Sequence, residues 1–233
     1  MIRKIGDRLV IVGVAHILPR SAEEVEKIIA AERPDIVAVE LDPLRYMALT
    51  QGWKPGILDA LRAGPSTLLL SALILLIQGR FSRQTGMEAG EEMLAAIRKA
   101  RQIGAQVQLI DRDIGITLQR LVGGMSTREK LRLFANLMLS LLPVGKGVEI
   151  ERLTEEQMVE NLLGEFKKLS SAAYDVLISE RDAHMSTKLA AFLLSGKKVI
   201  CVVGAGHVPG ICDRLSKLIS NNWGIKLKYR VGE

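Results

Sequence analysis

The chain has 233 residues, 48% of them hydrophobic and 25% charged, which excludes general disorder and suits one large domain with a packed core. Aromatic residues make up only 4%, too few for the stacking platforms of an RNA-binding surface, so no nucleic-acid partner is expected. The net charge of +6 is interleaved with glutamates along helical segments, as in "ERDAHMSTK", and reads as a solvated mixed surface, with a positive face near anionic lipid as the lesser alternative.

In chain order, the N-terminal "MIRKIGDRLV" lacks the long apolar region of a signal peptide. Residues 8–12 are β-branched-rich and read as a buried strand. Ser21 and Glu24 form a capping box that opens a helix, which Pro34 ends. "DIVAVEL", residues 35–41, is a second buried strand, so the chain opens strand–helix–strand, the pattern of a parallel pair. Helical segments follow at 43–50, 55–63, 65–79 and 88–103, the last stopped by Gly104. "AQVQLIDRD" gives a third strand ending near Asp111. Helices are expected at 114–122, at 127–142, from the Thr154/Gln157 capping box to about Leu169, and as one long helix over 171–194. "KVICVV" is a fourth strand, a helix starts at Pro209, and "IKLKYRV" closes the chain as an edge strand.

These elements predict an α/β fold with a mainly parallel sheet of about five strands and helical insertions at approximately 43–104 and 114–195. There is no internal repeat and no low-complexity linker. Cys201 and Cys212 have neither metal-finger nor CxxC spacing and read as reduced packing residues. "STLLLSALILLIQ", residues 66–78, is almost wholly apolar yet shorter than the ~20 residues of a membrane span. It reads first as a buried helix. Its composition and the basic flank at Arg80 and Arg83 also suit a dimer contact or a membrane surface.

Two of the three histidines stand in one repeated device: an apolar run, a glycine, two small residues and a histidine. The first is "GVAH", Gly13 to His16, and the second is "GAGH", Gly204 to His207. Each follows a strand. Ligands of open α/β sheets bind beyond the carboxyl ends of the strands, so both histidines are candidates for one crevice. Glu40 and Asp111 end two other strands on the same rim. Two imidazoles and one or two carboxylates suit a divalent metal with an open position for hydrolytic chemistry. A single GxxH turn is weak evidence, since satisfied histidines are common in tight turns; the pair is stronger.

The candidate roles are as follows. His16 and His207 are metal ligands. Glu40 is either a third ligand or the base for a water, and if it is a ligand another acid takes the proton, with Glu88 and Glu92 as candidates. Those two equally suit a solvated helix start. Arg45 and Arg181 either bind a peptide carboxylate or oxyanion, or pair with Glu40 or Asp111 in support. Asp111, Arg112 and Asp113 sit at a strand end, with a structural salt bridge as the plain alternative. His184 reads as an i,i+4 partner of Glu180, and Met47, Met87, Met93 and Met185 as core or interface filler.

"GVAHILPRSAEEVEKIIAAERPDIVAVELDPLRYMAL", followed far downstream by "VVGAGHVPGI", resembles the TraB/PrgY family, to which the Tiki proteins are related. "GMEAGEEMLAAIRKAR", "DRDIGITLQR" and "SERDAHMSTKL" are similar to further segments of its prokaryotic members, so the resemblance spans essentially the whole chain as a single domain, 1–233. It implies a metal-dependent peptidase acting on peptides or exposed protein segments. Mn²⁺ or Co²⁺ is the expected ion, with Zn²⁺ as an alternative. Gly13–His16, Gly204–His207 and Glu40 match its signature. In the bacterial branch it implies shutdown of a peptide pheromone, so a non-catalytic, membrane-associated peptide-sequestering protein is the alternative. A homo-oligomer, such as a dimer, is expected from the composition of the 66–78 segment alone. The resemblance also implies a place on the cytoplasmic side of a membrane, anchored through a C-terminal region absent from this chain.

Overall fold

A computed structural model describes residues 1–14, 21–51, 90–124, 126–129, 155–223 and 229–231. His16, Glu88, Met87, the apolar segment 66–78, Arg80, Arg83 and the helices expected at 55–63, 65–79 and across most of 127–142 lie outside these residues. The elements are β1 Ile2–Ile5, β2 Leu9–Val14, α1 Ser21–Glu32, β3 Ile36–Val39, α2 Pro43–Gln51, α3 Glu91–Ile103, β4 Gln106–Leu109, α4 Ile114–Gly124, α5 Glu155–Leu169, α6 Ser171–Tyr174, α7 Glu180–Leu194, β5 Val199–Gly204, α8 Val208–Trp223 and β6 Tyr229–Val231.

The strands form one sheet in the order β4-β3-β5-β2-β1-β6. The four strands from β4 to β2 are parallel, and β1 and β6 extend the sheet antiparallel. The fold is therefore the expected α/β, mainly parallel at its centre. The sixth strand is β1, which the sequence reading passed over: "IRKI" and the turn at Gly6–Arg8 build a hairpin with β2. The closing strand pairs with β1 at the edge, as its alternating charges require.

Successive residues of a strand face opposite sides, and each side is covered by two helices. Leu9, Ile11, Ala38, Cys201 and Val203 pack against Met185 and Leu189 of α7 and Ile211 and Leu215 of α8. Val10, Val12, Val37, Val39, Ile200 and Val202 pack against Val25 and Ile29 of α1 and Met93, Ala96 and Ile97 of α3. Each such aliphatic side chain contributes about 1.5–3 kcal/mol by leaving water. The period-3.6 pattern of α3 supplies one of these apolar faces, and Gly104 stops the helix in a left-handed conformation (φ 77°), its N–H returning to the Ala100 and Arg101 carbonyls. Both cysteines are free and buried, as their spacing implied.

The expected long helix over 171–194 runs without interruption but is not uniform. A π-helical turn, Asp175–Ser179, separates α6 from α7. Such turns add a residue to the helix and re-aim the side chains that follow. Here those are Glu180, Arg181 and Asp182.

The chain leaves β2 for α1 on one face of the sheet and leaves β5 for α8 on the other. Yet β2 and β5 are hydrogen-bonded neighbours, with Gly13 opposite Val203 and Val14 opposite Gly204. A crevice opens where adjacent strands send the chain to opposite faces. The two glycine turns, far apart in sequence, thus start side by side. Gly13 has no room for a side chain: a Cβ there would lie 2.6 Å from Val208 Cγ2 and 3.2 Å from Ala205 Cα. The turn after β5 packs directly onto β2.

Candidate functional site

Beyond the carboxyl ends of β3, β4 and β5 lies a buried cluster of charged side chains. Glu40 follows β3, Asp111 follows β4, and His207 sits in the short 3-10 turn Ala205–His207 after β5. Arg181 and Asp182 come from the first turn of α7, and Arg45 from α2. Glu40, Asp111, Asp182 and His207 are all buried.

His207 is gripped at both ring nitrogens. Nδ1 lies 2.6 Å from Asp182 Oδ1, and Nε2 lies 3.0 Å from Arg181 Nη1 and 3.4 Å from Glu40 Oε1. Neighbouring residues on a helix point about 100° apart, so Arg181 and Asp182 reach the imidazole from two sides. The contacts at Nε2 belong to different protonation states: a neutral ring accepts from Arg181, and a protonated one donates to Glu40. Burial opposes the imidazolium, but the carboxylates of Glu40 and Asp182 outweigh it and push the pKa up to about 9. Burial likewise raises Asp182 above the ordinary carboxylate range, more than His207, Arg214 and Arg181 lower it.

Glu40 Oε2 accepts the Gly204 N–H at 2.6 Å, and Oε1 accepts from Arg181 Nη2 at 2.5 Å. A Cβ on residue 204 would stand 3.2 Å from Oε2, so glycine at that position lets the carboxylate close on the backbone. Burial opposes the charge on Glu40, but His207, Arg181 and Arg45 prevail and hold its carboxyl well below the usual range. A carboxylate that weakly basic suits charge stabilisation or metal ligation better than proton transfer.

Asp111 has its acceptor positions filled. Oδ1 takes Arg181 Nε at 2.9 Å and the Arg112 N–H at 2.7 Å. Oδ2 takes Arg181 Nη2 at 2.7 Å and Arg45 Nη1 at 2.9 Å. Arg112 is committed to the scaffold, donating to Thr117 Oγ1, the Val176 carbonyl and Glu180. Asp113 caps α4 through the Gly115 and Ile116 N–H groups. Glu92 is buried in the first turn of α3, which runs antiparallel to β4 and so begins on the same rim. Met93 and Met185 are core, whereas Met47 is exposed.

Three residues of this region escaped the sequence reading. Asp182 is the first, and its only signal is its place in "SERDAH" beside Arg181. The second is Gly210, where a Cβ would collide with Asp182 Oδ2 at 1.9 Å. The third is Asp42, wholly buried, which caps α2 through Oδ1 while its Oδ2 has no hydrogen-bond partner among the described residues.

Glu180 differs from the expected helix pairing. Its carboxylate is held by Arg120 at 2.6 Å on each oxygen and by Arg112 at 2.5 Å, while His184 lies half-buried against the Asp111 backbone. Arg120, against a modest burial cost, and Arg112 lower the Glu180 pKa to about 2. A depressed carboxyl adds stability above its unfolded pKa and loses it as pH falls through the folded one. Acid titration from pH ~4.5 to ~2 is expected to remove this contribution. Glu180→Gln is expected to cost about 1 kcal/mol at neutral pH, and to flatten the acid limb of a Tm-versus-pH curve. An unchanged limb would remove Glu180 from acid unfolding.

Two donor atoms of this cluster face each other across one notch. His207 has its far nitrogen anchored by a carboxylate, the usual support of a metal-binding imidazole. Its Nε2 and Glu40 Oε1 are 3.4 Å apart, close to the ~3.3 Å between two ligands of a tetrahedral ion. A cationic group, the Arg181 guanidinium, bridges those two atoms. Among the described residues no group of three His, Cys, Asp or Glu side chains is arranged to hold a metal, and His16 lies outside them.

Among described residues no helix is long and apolar enough to cross a membrane. An uncharacterized protein of Methanocaldococcus jannaschii is 36% identical over 218 residues, covering 91% of this chain and 54% of that protein. A human TraB domain-containing protein is 29% identical over 257 residues, covering 97% of this chain and 65% of its own. The chain thus spans between about half and two thirds of these relatives. A structure of ChaN of Campylobacter jejuni, titled for cofacial heme binding, aligns with a TM-score of 0.38 at 12% identity, over 89% of this chain and 76% of that one. The model of the TraB/PrgY/gumN family matches residues 1–226. The chain, with its paired glycine–histidine turns, belongs to the TraB/PrgY/gumN family.

Proposed function

We propose that the chain is a metal-dependent hydrolase acting on peptides or exposed protein segments. The observation that carries this reading is the buried notch between Glu40 Oε1 and His207 Nε2, backed by Asp182. His207 and Glu40 would hold the ion, with His16 as the third ligand. A divalent ion there supplies Lewis acidity for a carbonyl oxygen.

The chain's own residues do the rest. With an ion bound, His207 would be neutral, its remaining proton held on Nδ1 by Asp182 and the Nε2 lone pair turned to the ion. Glu40 stays ionised, oriented by the Gly204 N–H. Proton acceptance then falls to a second acid on the rim, for which Glu92 is the described candidate. Arg45 uses one donor on Asp111 and is 39% exposed, so its remaining donors suit a peptide carboxylate.

Glu40→Gln tests the reading. Wild-type protein supplied with Mn²⁺ is expected to cleave members of a peptide library, and the variant to lose at least about 100-fold in turnover while still binding peptide. Turnover by neither, with peptide bound by both, would overturn hydrolysis and favour sequestration.

A further inference from the structure

Arg181 directs all five of its N–H donors at groups inside the protein. Nε donates to Asp111 Oδ1, and one Nη2 hydrogen to Asp111 Oδ2. One Nη1 hydrogen goes to the Leu177 carbonyl at 3.1 Å, within the π-helical turn. Of the remaining two, one goes to Glu40 Oε1 and the other faces His207 Nε2 at 3.0 Å, which accepts it when the ring is neutral. The guanidinium is thus divided. Three bonds tie it to Asp111 and Leu177, and two reach across the notch to the very atoms proposed as ligands.

An ion on those two atoms and a guanidinium on the same two atoms exclude one another. Each needs the same lone pairs, and two cations in contact repel strongly in a buried site. An empty notch without the guanidinium is also unfavourable, because Glu40 would lose its shortest charged contact and keep only the Gly204 N–H and His207, at 3.4 Å, as partners. The three bonds on the far side give the guanidinium somewhere to stay when the notch is filled.

We propose that Arg181 is the resident counter-cation of the notch, released from Glu40 and His207 when a divalent ion enters and retained by Asp111. The inference rests on the metal site proposed above. It makes Arg181 a determinant of metal affinity: the ion must displace a positive charge already bound to its ligands.

The test is Mn²⁺ titration into the chelator-stripped 233-residue chain by calorimetry, with melting curves in parallel. Arg181→Met is expected to bind Mn²⁺ at least about tenfold more tightly than wild type. Its Tm without metal is expected to be lower, and Mn²⁺ to raise it by more than in wild type. Arg181→Lys keeps the charge but not the fork, and is expected to fall between the two. Should Arg181→Met fold only with Mn²⁺ present, that supports exchange, and the Lys variant supplies the affinity comparison. Equal or weaker binding in both variants, with binding abolished by His207→Ala, overturns the exchange and leaves the metal site standing. No binding in wild type or either variant, or binding that survives His207→Ala, overturns the metal site and the exchange with it.

Discussion

Asp111→Ala is expected to lower stability by about 3–5 kcal/mol, the range for breaking a buried ion pair from one side. A domain's whole stability is about 5–15 kcal/mol, so the variant should unfold at far lower urea and melt on the order of 10 °C earlier. The cause is the number of charges that Asp111 neutralises. It bonds Arg181 through both oxygens, Arg45 through one and the Arg112 backbone through the other. Asp111 and Arg181 are both largely buried, with side-chain exposures of 2% and 14%. Without the carboxylate, Arg181 keeps Glu40 as its only charged partner among the described residues. Arg45 provides the control. It meets the same carboxylate from a side chain 39% exposed, so Arg45→Ala is expected to cost no more than about 1 kcal/mol. A urea series on the two variants measures both. Comparable small losses would mean that Asp111 is not the anchor of Arg181.

The strands and the glycine turns were legible because their signals are local. An apolar β-branched run ending in Gly identifies β2 and β5, and one opening helix after another identifies a mainly parallel sheet. The adjacency of β2 and β5 was not legible, because pairing between strands almost two hundred residues apart leaves no local trace. β1 was missed because four residues alternating around two basic ones have too little apolar character to stand out from a loop. The π-helical turn was missed for a different reason: its sequence, "DVLIS", is compatible with an ordinary helix, and periodicity over 171–194 reads straight through it. That one-residue offset decides where Arg181 and Asp182 point. Glu40 and Asp111 were singled out because charged residues next to strand ends are few, and Arg181 as an arginine able to pair with either. Asp182 was not found because a helical acid beside an arginine is most often solvated, and only the fold brings it under His207.

Gly210→Ala is expected to destabilise the protein by about 1–3 kcal/mol, although helix propensity alone predicts a gain of up to about 1 kcal/mol. Residue 210 lies in the first turn of α8, two residues past the site histidine's neighbour Val208. A methyl group there would lie 1.9 Å from Asp182 Oδ2 and 2.8 Å from its Cγ. Asp182 is buried and cannot turn into solvent, so it must give up its 2.6 Å contact with His207 Nδ1. The carboxylate also loses its position over the positive end of α8. The same exchange at Gly164 of α5, where a Cβ meets nothing within 4 Å, is expected to stabilise by about 0.5–1 kcal/mol. A double-mutant cycle separates collision from propensity. Asp182→Ala should be destabilising alone, and in that background Gly210→Ala should become neutral or favourable, giving a coupling of about 1–3 kcal/mol. Both single variants should also weaken Mn²⁺ binding by about 10–100-fold, because an imidazole without its carboxylate support is a poorer and less oriented ligand. Additive stability effects with unchanged Mn²⁺ affinity would mean that Gly210 serves the helix and Asp182 the core, with neither acting through His207.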